Sequence, residues 1–192
     1  MAALLAVSLS ACATRGHIAS PAEMALLEKA EGLSSAGRIT LSGPKGRFSA
    51  RVVFGAARPE ALRIEIPAGT GLRFLLVAKD GRLRADLPGD DAMYEGPATT
   101  EVMKALFGID LAPRDLVGAI LGSAPDSLSL SWRFERSVPI RLAIRGSNET
   151  SLVLSLDEPE MVAPRPQAFE FGPPRERVWS LREMSDRLGL TR

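Results

Sequence analysis

The alternation of apolar and polar side chains restricts the fold of this chain more than any other feature of its sequence. Leu62, Ile64 and Ile66 alternate with charged residues, and the same period of two recurs in residues 38–54 and 128–156. This period is typical of β-strands that bury one face and expose the other. Because the turns between these segments are short, we expect neighbouring strands to pair antiparallel in a meander.

Two of these strands flank an Asp-Gly turn at residues 80–81, a pair that is typical of β-hairpins. In the strand before the turn, Leu75 and Val77 make the second face apolar as well. In the strand after it, Arg84 and Asp86 lie on the face that the alternation assigns to water. The sheet is therefore expected to carry more apolar surface than a small core requires.

The period of the apolar residues changes from two to four between the strands, which predicts two short helices. Thr99 or Thr100 is the expected cap of the first helix, which Gly108 ends, and Pro113 begins a second helix that Gly122 ends. Two interpretations remain open. The helices complete the core of a barrel end, or they form a lid over an apolar cavity.

The ends of the domain are expected to contain one helix and one strand. A capping box at Ser20, with proline at the first helical position, predicts a helix whose apolar stripe extends to Leu33. A proline-rich passage near the other end precedes a last strand around Val178 and Leu181. The total of about ten or eleven strands with regular turns predicts a closed or half-closed antiparallel barrel.

Cys12 follows an apolar run and the small residues Ser10 and Ala11, an arrangement that resembles a bacterial lipobox. In this interpretation residues 1–11 are a lipoprotein signal peptide, and the thiol of Cys12 receives a lipid. The alternative is a buried or free cysteine in an ordinary secretory signal. Lipidation predicts a membrane anchor at this residue.

The signal assignment divides the remaining chain into a lipidated tether, residues 12–19, and a lipid-binding barrel domain, residues 20–192. His17 lies in the tether and is expected to be solvated, because a catalytic base needs an orienting partner. Ala13, and not aspartate, follows the cysteine. By resemblance to known lipoprotein sorting, this favours the periplasmic face of the outer membrane.

Composition and motifs argue against several classes of function. The net charge of +1 does not indicate a nucleic-acid-binding protein, and one cysteine excludes an internal disulfide, a zinc finger and CxxC redox chemistry. GxSxG, HExxH and SxxK motifs are absent, and the carboxylate pairs at residues 90–91 and 158–160 lie in turn-rich segments. We therefore expect no enzyme, no metal and no cofactor.

The order of several residues between the strands resembles the LolA/LolB-like lipoprotein-localisation family, in particular its outer-membrane lipoproteins. The matching positions are Tyr94-x-Gly96, Met103-x-x-Leu106-x-Gly108, Leu116 and Ile120-Leu121-Gly122. The resemblance spans nearly the whole mature chain. It implies an α+β fold, in which a half-open antiparallel β-barrel of about eleven strands carries a helical lid over a cavity for acyl chains.

The same resemblance implies the partners and sites of the protein. A monomer would receive acylated lipoproteins or lipids from a periplasmic LolA-like carrier. The loop Pro67-Ala68-Gly69-Thr70-Gly71 would touch membrane or cargo, although relatives have an exposed leucine where this chain has Ala68. The expected cavity and lid residues are Phe48, Phe54, Ile64, Leu72, Phe74, Leu76, Met103, Leu106, Phe107, Leu116, Ile120 and Trp132.

Three functions remain open at this point. The first is insertion of lipoproteins into the outer membrane. The second is carriage of glycolipid or phospholipid by the same fold, and the third is a structural envelope lipoprotein whose barrel is filled by its own side chains.

Overall fold

A computed structural model describes residues 16–44, 46–69, 71–123, 125–146 and 149–188. The predicted signal peptide, the predicted lipidation site at Cys12 and Thr70 of the predicted loop lie outside the described residues.

Within these ranges, eleven strands form a single sheet in the order β1-β8-β9-β10-β2-β3-β4-β5-β6-β7-β11. The described neighbours pair antiparallel, except that β11 runs parallel to β7. The sheet order ends at β1 on one side and β11 on the other, so this part of the chain forms an unclosed barrel. The predicted α+β fold, a half-open antiparallel β-barrel with helices, is confirmed. The strands are β1 His17–Ile18, β2 Gly32–Gly43, β3 Gly46–Ala57, β4 Ala61–Ala68, β5 Gly71–Lys79, β6 Arg82–Leu87, β7 Ala92–Pro97, β8 Ser129–Glu135, β9 Val138–Arg145, β10 Ser151–Glu160 and β11 Arg177–Val178.

Four α-helices accompany the sheet in the described part of the chain: α1 Pro21–Lys29, α2 Thr100–Phe107, α3 Pro113–Ile120 and α4 Leu181–Leu188. The predicted helix signals have the expected roles. The hydroxyl of Ser20 accepts the N–H of Glu23, Thr99 caps α2, and Gly108 ends α2 in a left-handed conformation with φ of 70°. None of the described helices is long and apolar enough to cross a membrane.

The structure corrects the predicted ends of two elements. Helix α1 stops at Lys29, and Leu33 lies in strand β2 and not in the helix. Leu181 begins helix α4 and not a strand, because Ser180 and Glu183 form a second capping box. Of the predicted last strand, Val178 remains in β11.

The concave side of the sheet and the helices share one hydrophobic core. Each strand from β2 to β10 contributes alternate side chains to it, among them Leu33, Leu83 and Leu142, all fully buried. Met184 of α4 is equally buried in the same core. The period-two alternation therefore assigns the concave face correctly, because one face of each strand meets the helices.

The convex side of the sheet is covered in part by residues 161–176, here called the strap. Phe169 of the strap packs on Leu75 and Val77, which explains why both faces of β5 are apolar. Arg84, predicted to face water, is only 3% exposed and donates to the carbonyl oxygens of Gly172 and Pro173. The prediction fails here because a distant segment returns over the strand.

A β-bulge changes the position of Leu72. Ile66 pairs with Phe74 and Pro67 pairs with Leu72, so the register shifts at Arg73. A bulge reverses the alternation of side chains beyond it. Leu72 accordingly packs with Leu75 and Val77 on the convex side, away from the concave core where it was predicted.

Candidate functional site

The concave side holds a small apolar cavity between helix α3 and the sheet. Its volume is about 10 Å³, which corresponds to roughly one water molecule. Four adjacent strands, β10, β2, β3 and β4, form its floor. The lining residues are Ile39, Val52, Phe54, Leu62, Ile64, Leu116, Ile120, Leu152 and Leu154, and none of them has a polar side chain.

Helix α3 fills the space above this floor. Leu116 and Ile120 are four residues apart, so both project from one face of the helix, and each is 1% exposed. The helix packs on β3 and β4. These two side chains lie between α3 and the floor of the cavity and limit its volume.

The C-terminal end of α3 is fastened by Arg58. Its guanidinium donates to the carbonyl oxygens of Leu121 at 2.9 Å, Glu28 at 3.0 Å and Ala30 at 3.1 Å. A cation that binds the carbonyl oxygens beyond a helix C-terminus satisfies acceptors that have no partner within the helix. At the other end, Ala112 provides no side-chain cap. The two ends of α3 are thus held differently.

Helix α2 covers an adjoining part of the core and is held by α4. Phe107 meets the ring of Phe74 edge to face, with centroids 5.7 Å apart. The hydroxyl of Ser185 in α4 donates to the carbonyl oxygen of Ala105 at 2.7 Å. The Ser185 hydrogen bond therefore connects α2 directly to α4.

An ion pair also connects helix α4 to the segment between β6 and β7. Both nitrogens of the Arg187 fork, Nε and Nη2, donate to the carboxylate of Asp90 at 2.8 Å. This guanidinium holds the pKa of Asp90 below its ordinary value of 3.8, and the carboxylate raises the pKa of Arg187. Both side chains are partly exposed, so the pair orients α4 more than it stabilises the fold.

Four of the twelve predicted cavity and lid residues line the cavity: Phe54, Ile64, Leu116 and Ile120. Most of the others lie in the same core without reaching the cavity, and Leu72 lies on the convex side. Those buried in the core are Phe74, Leu76, Met103, Leu106 and Trp132, and those partly buried against it are Phe48 and Phe107.

Sequence reasoning did not assign five lining residues to the site, although it placed all five on alternating strands. They are Ile39, Val52, Leu62, Leu152 and Leu154. Their alternation predicted burial, and the signal that would have distinguished them is strand adjacency. Strand β10 lies beside β2, more than a hundred residues apart in sequence, and no local pattern shows this contact.

The predicted loop at residues 67–71 is the tip of the β4–β5 hairpin. Pro67 and Ala68 continue strand β4 and pair with Leu72 and Gly71. The predicted break of the strand at Pro67 is therefore wrong. Ala68 is exposed, and Gly69 has a φ of 55°, which favours glycine. The tip presents its described residues to solvent.

His17 was expected to be solvated, but its side chain contacts Glu23. Its Nε2 lies 2.8 Å from Oε1 of Glu23, and its side chain is 54% exposed. The backbone N–H of Ser20, together with the Ser20 hydroxyl and His17, lowers the pKa of Glu23. This cluster joins the start of α1 to β1.

Among the described residues, no group of three or more His, Cys, Asp or Glu side chains is arranged to hold a metal ion.

Comparison with known proteins gives similarities in structure only. No protein-family model matches the chain, and no curated protein matches it. A LolA superfamily protein from Nitrosomonas europaea is similar at 9% identity with a TM-score of 0.44, over 81% of this chain and 99% of that one. A conserved protein from Thermus thermophilus is similar at 10% identity with a TM-score of 0.44, over 82% and 96%. A DUF1329 family protein from Desulfovibrio piger is similar at 10% identity with a TM-score of 0.42, over 78% and 93%.

Proposed function

We propose that this chain is a lipid-anchored outer-membrane protein that binds acyl chains of lipoproteins beneath helix α3 and takes part in their delivery to that membrane. The observation that carries the proposal is the wholly apolar lining of the cavity between α3 and four adjacent strands. Such a lining offers no group for acid–base or nucleophilic chemistry. It favours a ligand that is itself apolar.

An acyl chain requires α3 to move. The cavity of about 10 Å³ is far smaller than a chain of a dozen methylene groups, and the buried side chains of Leu116 and Ile120 lie directly above its floor. If α3 swings away about its Arg58-bound end, an acyl chain replaces the two side chains on the same apolar floor. The helix is then a lid that competes with the ligand.

The energetics of such a transfer need no nucleotide. Burying an acyl chain contributes about 0.8 kcal/mol for each methylene group. When a periplasmic LolA-like carrier hands the chain to this protein, most of that contribution cancels because both cavities are apolar. The direction then depends on the difference in affinity, and about 1.4 kcal/mol gives a tenfold preference.

The lid proposal predicts that weakening α3 strengthens ligand binding. Leu116→Ala removes buried methyl groups from the closed state and destabilises it by about 2–5 kcal/mol. Because the open fraction rises, the apparent affinity for a fluorescent fatty acid should increase by about tenfold or more. A fluorescence titration, with the melting temperature of each variant as a reference, measures this change.

The matched control is Leu142→Ala in β9, which removes the same atoms from a fully buried position outside the cavity lining. It should lower the melting temperature without raising the affinity. Equal affinities for the wild type, Leu116→Ala and Leu142→Ala contradict the lid.

The small volume of the cavity favours a second candidate, the structural envelope lipoprotein with a filled barrel. Native mass spectrometry of detergent-free protein separates the two. Protein with bound lipid supports an acyl-binding function, and the mass of the ligand distinguishes lipoprotein acyl chains from carried phospholipid or glycolipid. A chain that neither retains lipid nor takes up an acyl probe is a filled barrel.

A further inference from the structure

The convex surface of strands β8, β9, β10, β2 and β3, which are neighbours in this order, carries a concentration of arginines. All six are exposed, and we call them the arginine face: Arg38, Arg47, Arg51, Arg133, Arg141 and Arg145. The net charge of the whole chain is only +1. The concentration therefore comes from the placement of charges and not from their number.

The register of the sheet sets these side chains in rows. Residues that are directly paired across antiparallel strands project to the same face. One row across the five strands is Arg133, Arg141, Ser155, Arg38 and Arg51. The next is Ser131, Ala143, Val153, Thr40 and Ser49, and the third is Ser129, Arg145, Ser151, Ser42 and Arg47. None of these positions holds an acidic residue.

The first row places like charges opposite each other. Arg133 pairs with Arg141, and Arg38 pairs with Arg51, which is a destabilising arrangement in a sheet. Of the ion pairs among the described residues, one reaches this face, from Arg51 to Asp157 at 3.4 Å, and both partners are mostly exposed. Because these contacts are exposed, the fold gains little from the arrangement, which suits an anionic ligand instead.

The dimensions and donors of the face indicate the ligand. Four strand spacings give a width of about 19 Å, and the three rows span about 14 Å along the strands. Guanidinium forks bind phosphate oxygens in pairs, and serine hydroxyl groups between them add further donors. A surface of this size contacts several phosphates at once. We propose that the arginine face docks on an anionic phospholipid membrane.

The start of the described chain favours a membrane over an acidic protein. Ile18 pairs with Arg133 and so extends the first row; it is 75% exposed, beside the cationic groups. Five peptide steps separate Cys12 from His17, a reach of about 17 Å. A lipid attached to Cys12, as the proposed function requires, would therefore hold the bilayer next to this edge of the face.

The test measures vesicle binding by the full chain with Cys12→Ala, which removes the attached lipid. One set of vesicles is pure phosphatidylcholine, and in the other about a third of the lipid is phosphatidylglycerol. Binding through the apolar N-terminal segment contributes similarly to both sets. The difference between them therefore reports the charge contribution, and we expect it to fall steeply as salt is raised.

Arg133→Ser combined with Arg141→Ser should weaken binding to the anionic vesicles by about tenfold or more, since each arginine near such a surface contributes about fivefold. The matched control, Arg114→Ser combined with Arg182→Ser, removes the same charge from exposed positions on helices α3 and α4. It should change binding less than twofold, as expected for residues on the other side of the sheet.

Arg47→Ser combined with Arg145→Ser repeats the test in the third row if the first variant lowers the melting temperature. Equal binding to the two vesicle types overturns the proposal, as does an equal loss in the control variant. Binding of an acidic protein in the absence of vesicle binding also overturns it. The acyl-probe titration is a separate measurement, so failure of the lid and failure of the arginine face are distinguishable.

Discussion

Arg84 and Asp86 carry charges that strand β6 turns away from the concave core and that the strap then buries. Nε of Arg84 lies 3.1 Å from Oδ1 of Asp86, and the remaining donors of the guanidinium reach carbonyl oxygens of the strap. A buried pair of this kind is tolerated when its hydrogen bonds are satisfied. It fixes where the strap lies, so single residues on β6 select the position of a segment far away in sequence.

Glu23 should make the stability of the fold depend on acid pH. The N–H of Ser20 and the hydrogen bonds from His17 and the Ser20 hydroxyl stabilise its carboxylate, so the pKa of Glu23 lies below its ordinary value of 4.5. A lowered pKa contributes stability above pH 4.5, and this stability is lost as the pH falls through the folded value. Melting temperatures recorded from neutral to acid pH measure it.

Glu23→Gln removes this contribution. We expect its melting temperature to lie below that of the wild type at neutral pH and to approach it below pH 4.5. Glu176→Gln, at an exposed position, is the control for the loss of one charge. A difference between wild type and Glu23→Gln that stays constant across the acid range would show that Glu23 acts through packing alone.

At the scale of elements, the helices on the concave side differ in how they are attached. Helix α2 is capped by Thr99 and bonded to α4 through Ser185, whereas α3 depends on Arg58 at one end. Helix α3 has no side-chain cap at its start, and its buried side chains, Leu116 and Ile120 among them, lie over the cavity. It is the helix that the proposed function requires to open while the strands beneath it stay in place.

Hydrogen exchange should reveal this order. We expect the amides of Pro113–Ile120 to exchange faster than those of Gly71–Lys79 in strand β5, which has a neighbour on each side, because a lid opens without unfolding the sheet. Arg58→Ala should accelerate exchange in α3 and leave α2 unchanged. Protection in α3 equal to that in β5 would count against a lid and favour the filled barrel.

At the scale of the whole molecule, the two halves of the convex surface have different environments. The strap covers part of β4, β5 and β6. The arginine face, on β8, β9, β10, β2 and β3, is exposed to solvent. The apolar cavity lies on the concave side beneath α3. The proposed anchor, the proposed membrane-facing surface and the proposed ligand site therefore have separate locations, and each is testable without disturbing the others.

The proposed anchor makes a prediction about the location of the whole chain in the cell. Cys12→Ala should release the protein into the soluble periplasmic fraction, because the variant lacks the lipid that is the proposed attachment to the membrane. Ala13→Asp is the companion variant. It should keep the protein membrane-bound and move it from the outer to the inner membrane, as expected from the lipoprotein sorting that the sequence resembles. Cell fractionation followed by immunoblotting measures both, and a Cys12→Ala chain that stays in salt-washed membranes contradicts lipidation.

The sequence by itself determined most of the strands, the Asp-Gly turn and the caps of α1 and α2. Period-two alternation is a local property, so one strand face is recognisable without its partner, and the Asp80-Gly81 turn, Thr99 and Gly108 act through their own backbone conformations. The second capping box at Ser180 was equally local and was overlooked.

Tertiary structure alone decided which apolar residues meet and which polar residues are buried. The contact of β10 with β2, the burial of Arg84 and the reversal at Leu72 depend on segments that return from far along the chain, or on a register shift between strands. The arginine face belongs to the same class. Its arginines are scattered through five strands in sequence, and only the pairing of those strands places them in rows, because the register of a sheet is fixed by packing of its buried face and not by its exposed one.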